Sequence, residues 1–165
     1  MTARRSSADP RPTPATRFLT ERGVPFRPHH YDYVDHGGAR HAAASLGVDE
    51  SAVVKTLVMV SEAGDPLLVL MHGDRQVSAK KLARAAGLRS VAACSPAEAL
   101  RLTGYQVGGI SPFGTRKTLP IYAEATIFEL PTLFINGGRR GLLLEIEPGA
   151  LESSLDLERV SVAAE

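Results

Sequence analysis

The longest run of apolar and β-branched side chains is Val53 to Val60 (VVKTLVMV), and it predicts a strand. Gly64-Asp65 turns the chain into a second apolar run, Leu67 to Met71, so the two together predict a hairpin. Leu133 to Asn136 and Leu142 to Ile146 repeat the arrangement across Gly137-Gly138-Arg139-Arg140, and Ile121 to Ala123 adds a shorter strand. Helical spacing with glycine stops predicts helices over Ala15 to Arg22, ended by Gly23, and Ala39 to Leu46, ended by Gly47. Ser78 caps a third helix to Ala86, stopped by Gly87. Ser95-Pro96-Ala97-Glu98 reads as a capping box with proline at the first helical position, opening a helix to about Leu102. Phe26 to Tyr33 reads as extended, and Pro148 to Leu155 as a terminal helix or turn. Hairpins and helices in irregular alternation predict the α/β class: a mixed, largely antiparallel sheet with flanking helices.

One segment fits neither period. Thr103 to Gly114 (TGYQVGGISPFG) holds four glycines and a proline, too many for a regular helix or strand. Gly108-Gly109 frees the backbone to take positive φ and to approach a ligand without a Cβ in the way. Ser111-Pro112 then stiffens the exit. Such a loop can present main-chain N–H groups to a polar or anionic ligand, or it can simply turn a corner.

Composition narrows the field. The 165 residues are 44% hydrophobic and 22% charged, as expected of one globular domain that needs no metal or disulfide staple. Nineteen Lys and Arg against 18 Asp and Glu exclude a strongly basic nucleic-acid coat, though not a local patch. The single cysteine, Cys94, excludes an intramolecular disulfide and any multi-cysteine zinc site. No apolar run approaches the roughly 18 residues of a membrane span, so a cytoplasmic setting is the default expectation. Residues 1–13, rich in Arg, Ser and Pro, are expected to be a disordered tail, leaving 14–165 as one domain.

Among side chains that could carry chemistry, Lys55 stands out. Period-two alternation places it with Val53, Leu57 and Met59 on one face, opposite Val54, Thr56, Val58 and Val60. A lysine there either snorkels or lines a pocket as a cation aimed at a phosphate, ribose or carbonyl oxygen. The five histidines, His29, His30, His36, His41 and His72, show no metal-ligand spacing, so neither metal nor cofactor is expected. Ser78-Ala-Lys80-Lys81 matches a Ser-x-x-Lys signature formally but is explained as a helix cap. Cys94 reads as a small buried hydrophobe, and Asp32 with Asp35 as a polar turn beside Tyr31 and Tyr33.

Three motifs in register resemble the YbaK/EbsC family of free-standing aminoacyl-tRNA deacylases, over about Thr13 to Leu155. They are Val54-Lys55-Thr56-Leu57-Val58, the Thr103–Gly114 loop, and Asn136-Gly137-Gly138-Arg139-Arg140-Gly141-Leu142. The wording Gly108-Gly109-Ile110-Ser111-Pro112 is similar to the branch that clears Cys-tRNA(Pro). The resemblance implies the mixed α/β fold also used as the editing insertion of bacterial prolyl-tRNA synthetases. It implies catalytic roles for Lys55, Gly108 and Gly109. Substrate contacts are implied for Tyr31, Thr56, Ile110, Ser111, Pro112, Asn136, Gly137 and Arg140. The stretch His36-Gly37-Gly38-Ala39-Arg40-His41 departs from the family, where a bulky aromatic and acidic residues are common, and Asn136 stands where relatives often have serine.

The same resemblance accounts for the inconspicuous acid–base set, since the family's proposed mechanism uses the substrate's own cysteine thiol to attack its ester. It implies as partners the acceptor end of mischarged tRNA(Pro) and, transiently, prolyl-tRNA synthetase. Arg139-Arg140, Lys80-Lys81 and Arg116-Lys117 are candidate phosphate contacts. Three alternatives stay open: cleavage of an alanyl or seryl ester by a bound water, a non-catalytic module for a nucleotide or tRNA end, and an interaction protein with a purely structural loop.

Overall fold

The computed structural model describes residues 11–165. Among these described residues eight strands form one mixed sheet: β1 (Arg27–His30), β2 (Val53–Ser61), β3 (Pro66–His72), β4 (Val91–Ala93), β5 (Ile121–Glu124), β6 (Leu133–Asn136), β7 (Leu142–Ile146) and β8 (Leu157–Val160). Their order is β1-β7-β6-β2-β3-β5-β8, with β4 paired to β2 as well. Four of the seven ladders are antiparallel (β1–β7, β6–β7, β2–β3 and β2–β4) and three parallel (β2–β6, β3–β5 and β5–β8).

Helices cover both faces. On one, α1 (Pro14–Glu21), α4 (Pro96–Thr103) and α5 (Pro148–Ser154) pack Leu19, Ala99, Leu102 and Leu151 on Val54, Val58, Leu68 and Leu70. On the other, α3 (Ala79–Ala86) sets Leu82 and Ala83 on Met59, Leu67, Val69 and Met71. There too α2 (Gly38–Leu46) sets Ala42 and Ala43 on Val53, Phe134 and Leu143. The sheet's centre is therefore buried on both sides, and β3 is buried from Leu67 to His72. His72 joins that interior with both ring nitrogens engaged: Nδ1 lies 2.7 Å from the Ser51 carbonyl and Nε2 2.7 Å from Thr126 Oγ1.

The predicted hairpins and helices form within a residue or two of their expected bounds. β4 and β8 are additions. Val91-Ala92-Ala93 and Leu157-Glu158-Arg159-Val160 have little strand pattern of their own, and partner strands hold them in place. Ser95 caps α4 by accepting from the Glu98 N–H at 3.2 Å, but Glu98 turns outward to Arg101 and does not close the box. A complete capping box instead opens α1. There Thr13 Oγ1 accepts from the Thr16 N–H, and Thr16 Oγ1 from the Thr13 N–H. This corrects the expected tail at its inner end. Thr13 is 4% exposed and donates its hydroxyl to the Gly137 carbonyl at 2.5 Å, so it belongs to the packed domain. Residues 1–10 of that tail lie outside the described residues.

Candidate functional site

β2 makes the site by sharing one edge between two partners. Its other edge runs continuously along β3 from Val54 to Val60. On the outer edge, β6 pairs only with Val53 and Val54, and β4 only with Met59 to Ser61. Between the two ladders the sheet is open, and a cleft of about 660 Å³ fills the gap. That volume suits a small molecule or the end of a larger one.

Seven of the eleven residues expected at a site line this cleft: Tyr31, Lys55, Thr56, Gly108, Ile110, Asn136 and Arg140. Lys55 is half-buried, and desolvation pushes its ammonium pKa down, opposed by the negative charges of Glu50 and Asp74. Its ammonium makes no ion pair or hydrogen bond with any described residue. An unpaired cation in a cleft is poised for an anion or a carbonyl oxygen. Tyr31 lines the same cleft, its phenol pKa raised by burial and by neighbouring Tyr33. Gly108 takes φ +92°, and among the described residues nothing accepts from its N–H. A Cβ at Gly108 would stand 2.6 Å from Tyr33 Oη, so the backbone comes closer to that ring than an L side chain allows.

Two cleft residues act on the loop. Asn136 donates from Nδ2 to the Gly108 carbonyl at 2.9 Å, while its Oδ1 accepts from the Gly138 N–H at 2.8 Å. Arg140 donates from Nε to the Val107 carbonyl at 3.0 Å and lies over the Tyr33 ring, 4.9 Å from its centroid. The β6–β7 hairpin thus clamps the loop tip.

Gly109, Ser111, Pro112 and Gly137 do not line the cleft. The Gly109 N–H donates to the Gln106 carbonyl at 2.8 Å and the Gly137 N–H to the Leu142 carbonyl at 2.9 Å, so neither is free for a substrate. A Cβ at Gly109 would meet the Arg140 nitrogen at 2.9 Å, which makes this glycine a packing requirement of the hairpin. Ser111 is fully buried, its Oγ accepting from the Phe113 N–H at 3.1 Å. Tyr105 secures the same half of the loop by donating its hydroxyl to the Phe113 carbonyl.

Sequence reasoning gave no site role to Tyr33, Val34, Cys94 and Ala99, which line the cleft, while the stretch His36 to His41 that it singled out lines it through His36, Gly38, Ala39 and His41. His41 Nε2 lies 2.8 Å from the Asp32 carbonyl, and its ring meets Tyr31 edge-on at 5.9 Å. The chain before α2 therefore builds one wall, and His36 holds a positive φ of 62° there without being glycine. Burial pushes the Cys94 thiol pKa up, with Glu98 adding to it, so Cys94 is no activated nucleophile. Of the basic pairs, only Arg140 lines the cleft; Lys81 is bonded to the Ala163 carbonyl and to Glu165. No cluster of His, Cys, Asp or Glu suited to a metal occurs among the described residues, and no helix among them is long and apolar enough to cross a membrane.

Fold and cleft together define a mixed α/β domain whose open sheet edge forms a cleft lined by Lys55 and Gly108. The chain belongs to the aminoacyl-tRNA editing domain family, whose model matches residues 37–153. It is 31% identical over 142 residues to EbsC of Enterococcus faecalis, covering 86% of this chain and 87% of that one; EbsC is provisionally assigned as a Cys-tRNA(Pro)/Cys-tRNA(Cys) deacylase. A stretch of 69 residues, 42% of the chain, is 39% identical to 12% of the proline–tRNA ligase of Thermodesulfovibrio yellowstonii. Among solved structures, a provisionally assigned trans-editing enzyme for prolyl-tRNA synthetase superposes with a TM-score of 0.77 at 26% identity, over 90% of this chain and 98% of that one. An editing deacylase acting on aminoacyl-tRNA is the activity this family supports.

Proposed function

We propose that the protein clears Cys-tRNA(Pro) in trans, cleaving the ester between a misplaced cysteine and the terminal ribose. The observation that carries the reading is the pairing of Lys55, a half-buried cation without an internal partner, with the unengaged Gly108 N–H in one cleft. Lys55 holds a phosphate or ribose oxygen of the terminal adenosine, and Tyr31 walls the amino acid. The Gly108 N–H donates to the ester carbonyl as negative charge develops there. Gly109 adds no second donor, because its N–H is already committed to Gln106.

Asp35, His36 and His41 border the cleft, but His41 Nε2 is turned to the Asp32 carbonyl and the Asp35 and His36 side chains stand largely in solvent, which favours a nucleophile carried by the substrate. The cysteine sulfur attacks its own carbonyl carbon, a C–S bond forms, and the ester C–O bond breaks. The thiol proton passes to the departing ribose oxygen, leaving free tRNA and a four-membered thiolactone. Tethering both reacting groups in one molecule supplies effective concentration, so the protein need only fix the pose. Prolyl-tRNA synthetase is the expected transient partner, since a chain of net charge +1 has little electrostatic hold on tRNA by itself.

A panel of tRNA(Pro) charged with cysteine, alanine or serine tests the reading, with Lys55→Ala beside the wild type. Cysteine should be released fastest, and Lys55→Ala should lower kcat/KM by about 100-fold, the scale of a lost positioning contact. Full activity of Lys55→Ala would defeat its role. Equal rates on cysteinyl and alanyl esters would defeat thiol attack in favour of a bound water.

A further inference from the structure

Among the described residues, Thr56 Oγ1 is the buried side-chain polar atom with no hydrogen-bond partner. Thr56 is 8% exposed, and it lines the cleft. Buried hydroxyls without partners are rare because the lost water contacts are not replaced.

The main chain at the same residue is unpaired as well. Val53 accepts from the Gly73 N–H and Ser61 donates to Asp65, so the odd-numbered residues of β2 turn their peptide groups toward β3. Val58 accepts from the Cys94 N–H, so the even-numbered residues face the outer edge. On that edge the β6 ladder stops at Val54 and the β4 ladder starts at Met59. The N–H and C=O of Thr56 therefore open onto the gap without a strand partner.

The surroundings of the hydroxyl differ from those of Lys55. Alternation puts Thr56 on the face of Val54 and Val58, where Ala99 and Ile110 close the same side of the cleft. Lys55 lies on the opposite face. Thr56 thus offers one hydroxyl in a small apolar compartment, beside a free donor and acceptor of the strand edge.

We propose that this compartment takes the substrate's side chain, and that Thr56 Oγ1 selects small side chains bearing one –SH or –OH group over alanine. The thiol or hydroxyl of the aminoacyl group donates to Oγ1, and the unpaired C=O of Thr56 on the edge of β2 accepts from its α-amino group. This rests on the deacylase reading above and names the residue that sets its amino-acid preference. A site built to hydrogen-bond a substrate group discriminates against the analogue that lacks it, because its own polar atom is then left unpaired.

The test is kcat/KM on cysteinyl-, seryl- and alanyl-tRNA(Pro) for wild type, Thr56→Val and Thr56→Ser, with thermal melting of each protein. Thr56→Val keeps the shape and removes the hydroxyl. It should lower the cysteine-to-alanine ratio by roughly 10-fold or more, chiefly through the cysteinyl and seryl esters. Thr56→Ser should keep the wild-type ratio, and Thr56→Val should melt no earlier than wild type, because the lost hydroxyl bonds nothing in the free protein. A parallel fall on all three esters, or an unchanged ratio, would overturn the proposal. A wild type inert on all three esters would overturn the deacylase reading and this proposal with it. That outcome is distinct from an active enzyme whose preference ignores Thr56.

Discussion

Val107-Gly108 and Gly109 to Gly114 are neighbouring halves of one glycine-rich segment, yet the first serves the cleft and the second, Ile110 apart, serves the core. Gly108 keeps its N–H unengaged and packs against the Tyr33 ring at the cleft. Gly109 spends its N–H on Gln106 and packs against the backbone of Arg139 and Arg140. Ser111 and Phe113 are both fully buried. Identical residue types one position apart carry different duties, because Val107 and Gly108 emerge at the gap between β6 and β4 whereas beyond them only Ile110 reaches the cleft. A glycine-rich stretch is therefore weak evidence for a ligand loop until its N–H groups have been traced to their acceptors.

The largest effect on folding is expected where the loop is scaffold. Gly109→Ala forces a Cβ to within 2.9 Å of backbone that cannot swing aside. It should cost about 2–3 kcal/mol, as overpacking does. Melting should fall by roughly 5–10 °C, while any protein that remains folded keeps its preference among esters. Unchanged melting would erase the distinction between the two halves.

Gly108→Ala should do the reverse. Its clash is with the end of the Tyr33 side chain, which can move, although φ +92° adds strain of about 1–3 kcal/mol. The expected signature is a fall in kcat/KM of at least about 10-fold, from a shifted N–H donor, larger than the accompanying stability loss explains. Activity that tracks melting alone would place Gly108 with the scaffold.

Asn136→Ala probes the clamp between the halves and should have the smallest effect. It removes the bond to the Gly108 carbonyl and the cap on the Gly138 N–H. A loss of about 1 kcal/mol in stability, with a few-fold rise in KM and little change in kcat, would mark a residue that holds the loop tip in place. A collapse of kcat would promote Asn136 to a direct substrate contact.

Much of the fold was legible in the chain. Val53 to Val60 reads as a strand because its side chains are β-branched or aliphatic almost throughout, and four helices announce themselves by a capping serine or a closing glycine. The resemblance to editing deacylases, carried by three motifs, agrees with the family to which the chain belongs. β4 and β8 were not legible, since their residues satisfy their backbone only by borrowing a partner strand. Thr13 was misjudged for a related reason. A threonine in a Pro- and Arg-rich stretch looks like tail until its hydroxyl meets the Gly137 carbonyl, 124 residues away.

By itself, then, the sequence determined the helices and every strand but β4 and β8, that Lys55 and Thr56 lie on opposite faces of β2, and that Gly108-Gly109 has a permissive backbone. These follow from local rules, periodicity and φ preference, that need no distant partner. The tertiary structure alone decided that β2 shares its outer edge between two strands, and so opens a cleft at Lys55 and Thr56. It also decided which glycine N–H stays free and which hydroxyl is left unpaired. Those are questions of hydrogen-bond partnership between residues far apart in the chain, and only the completed sheet answers them.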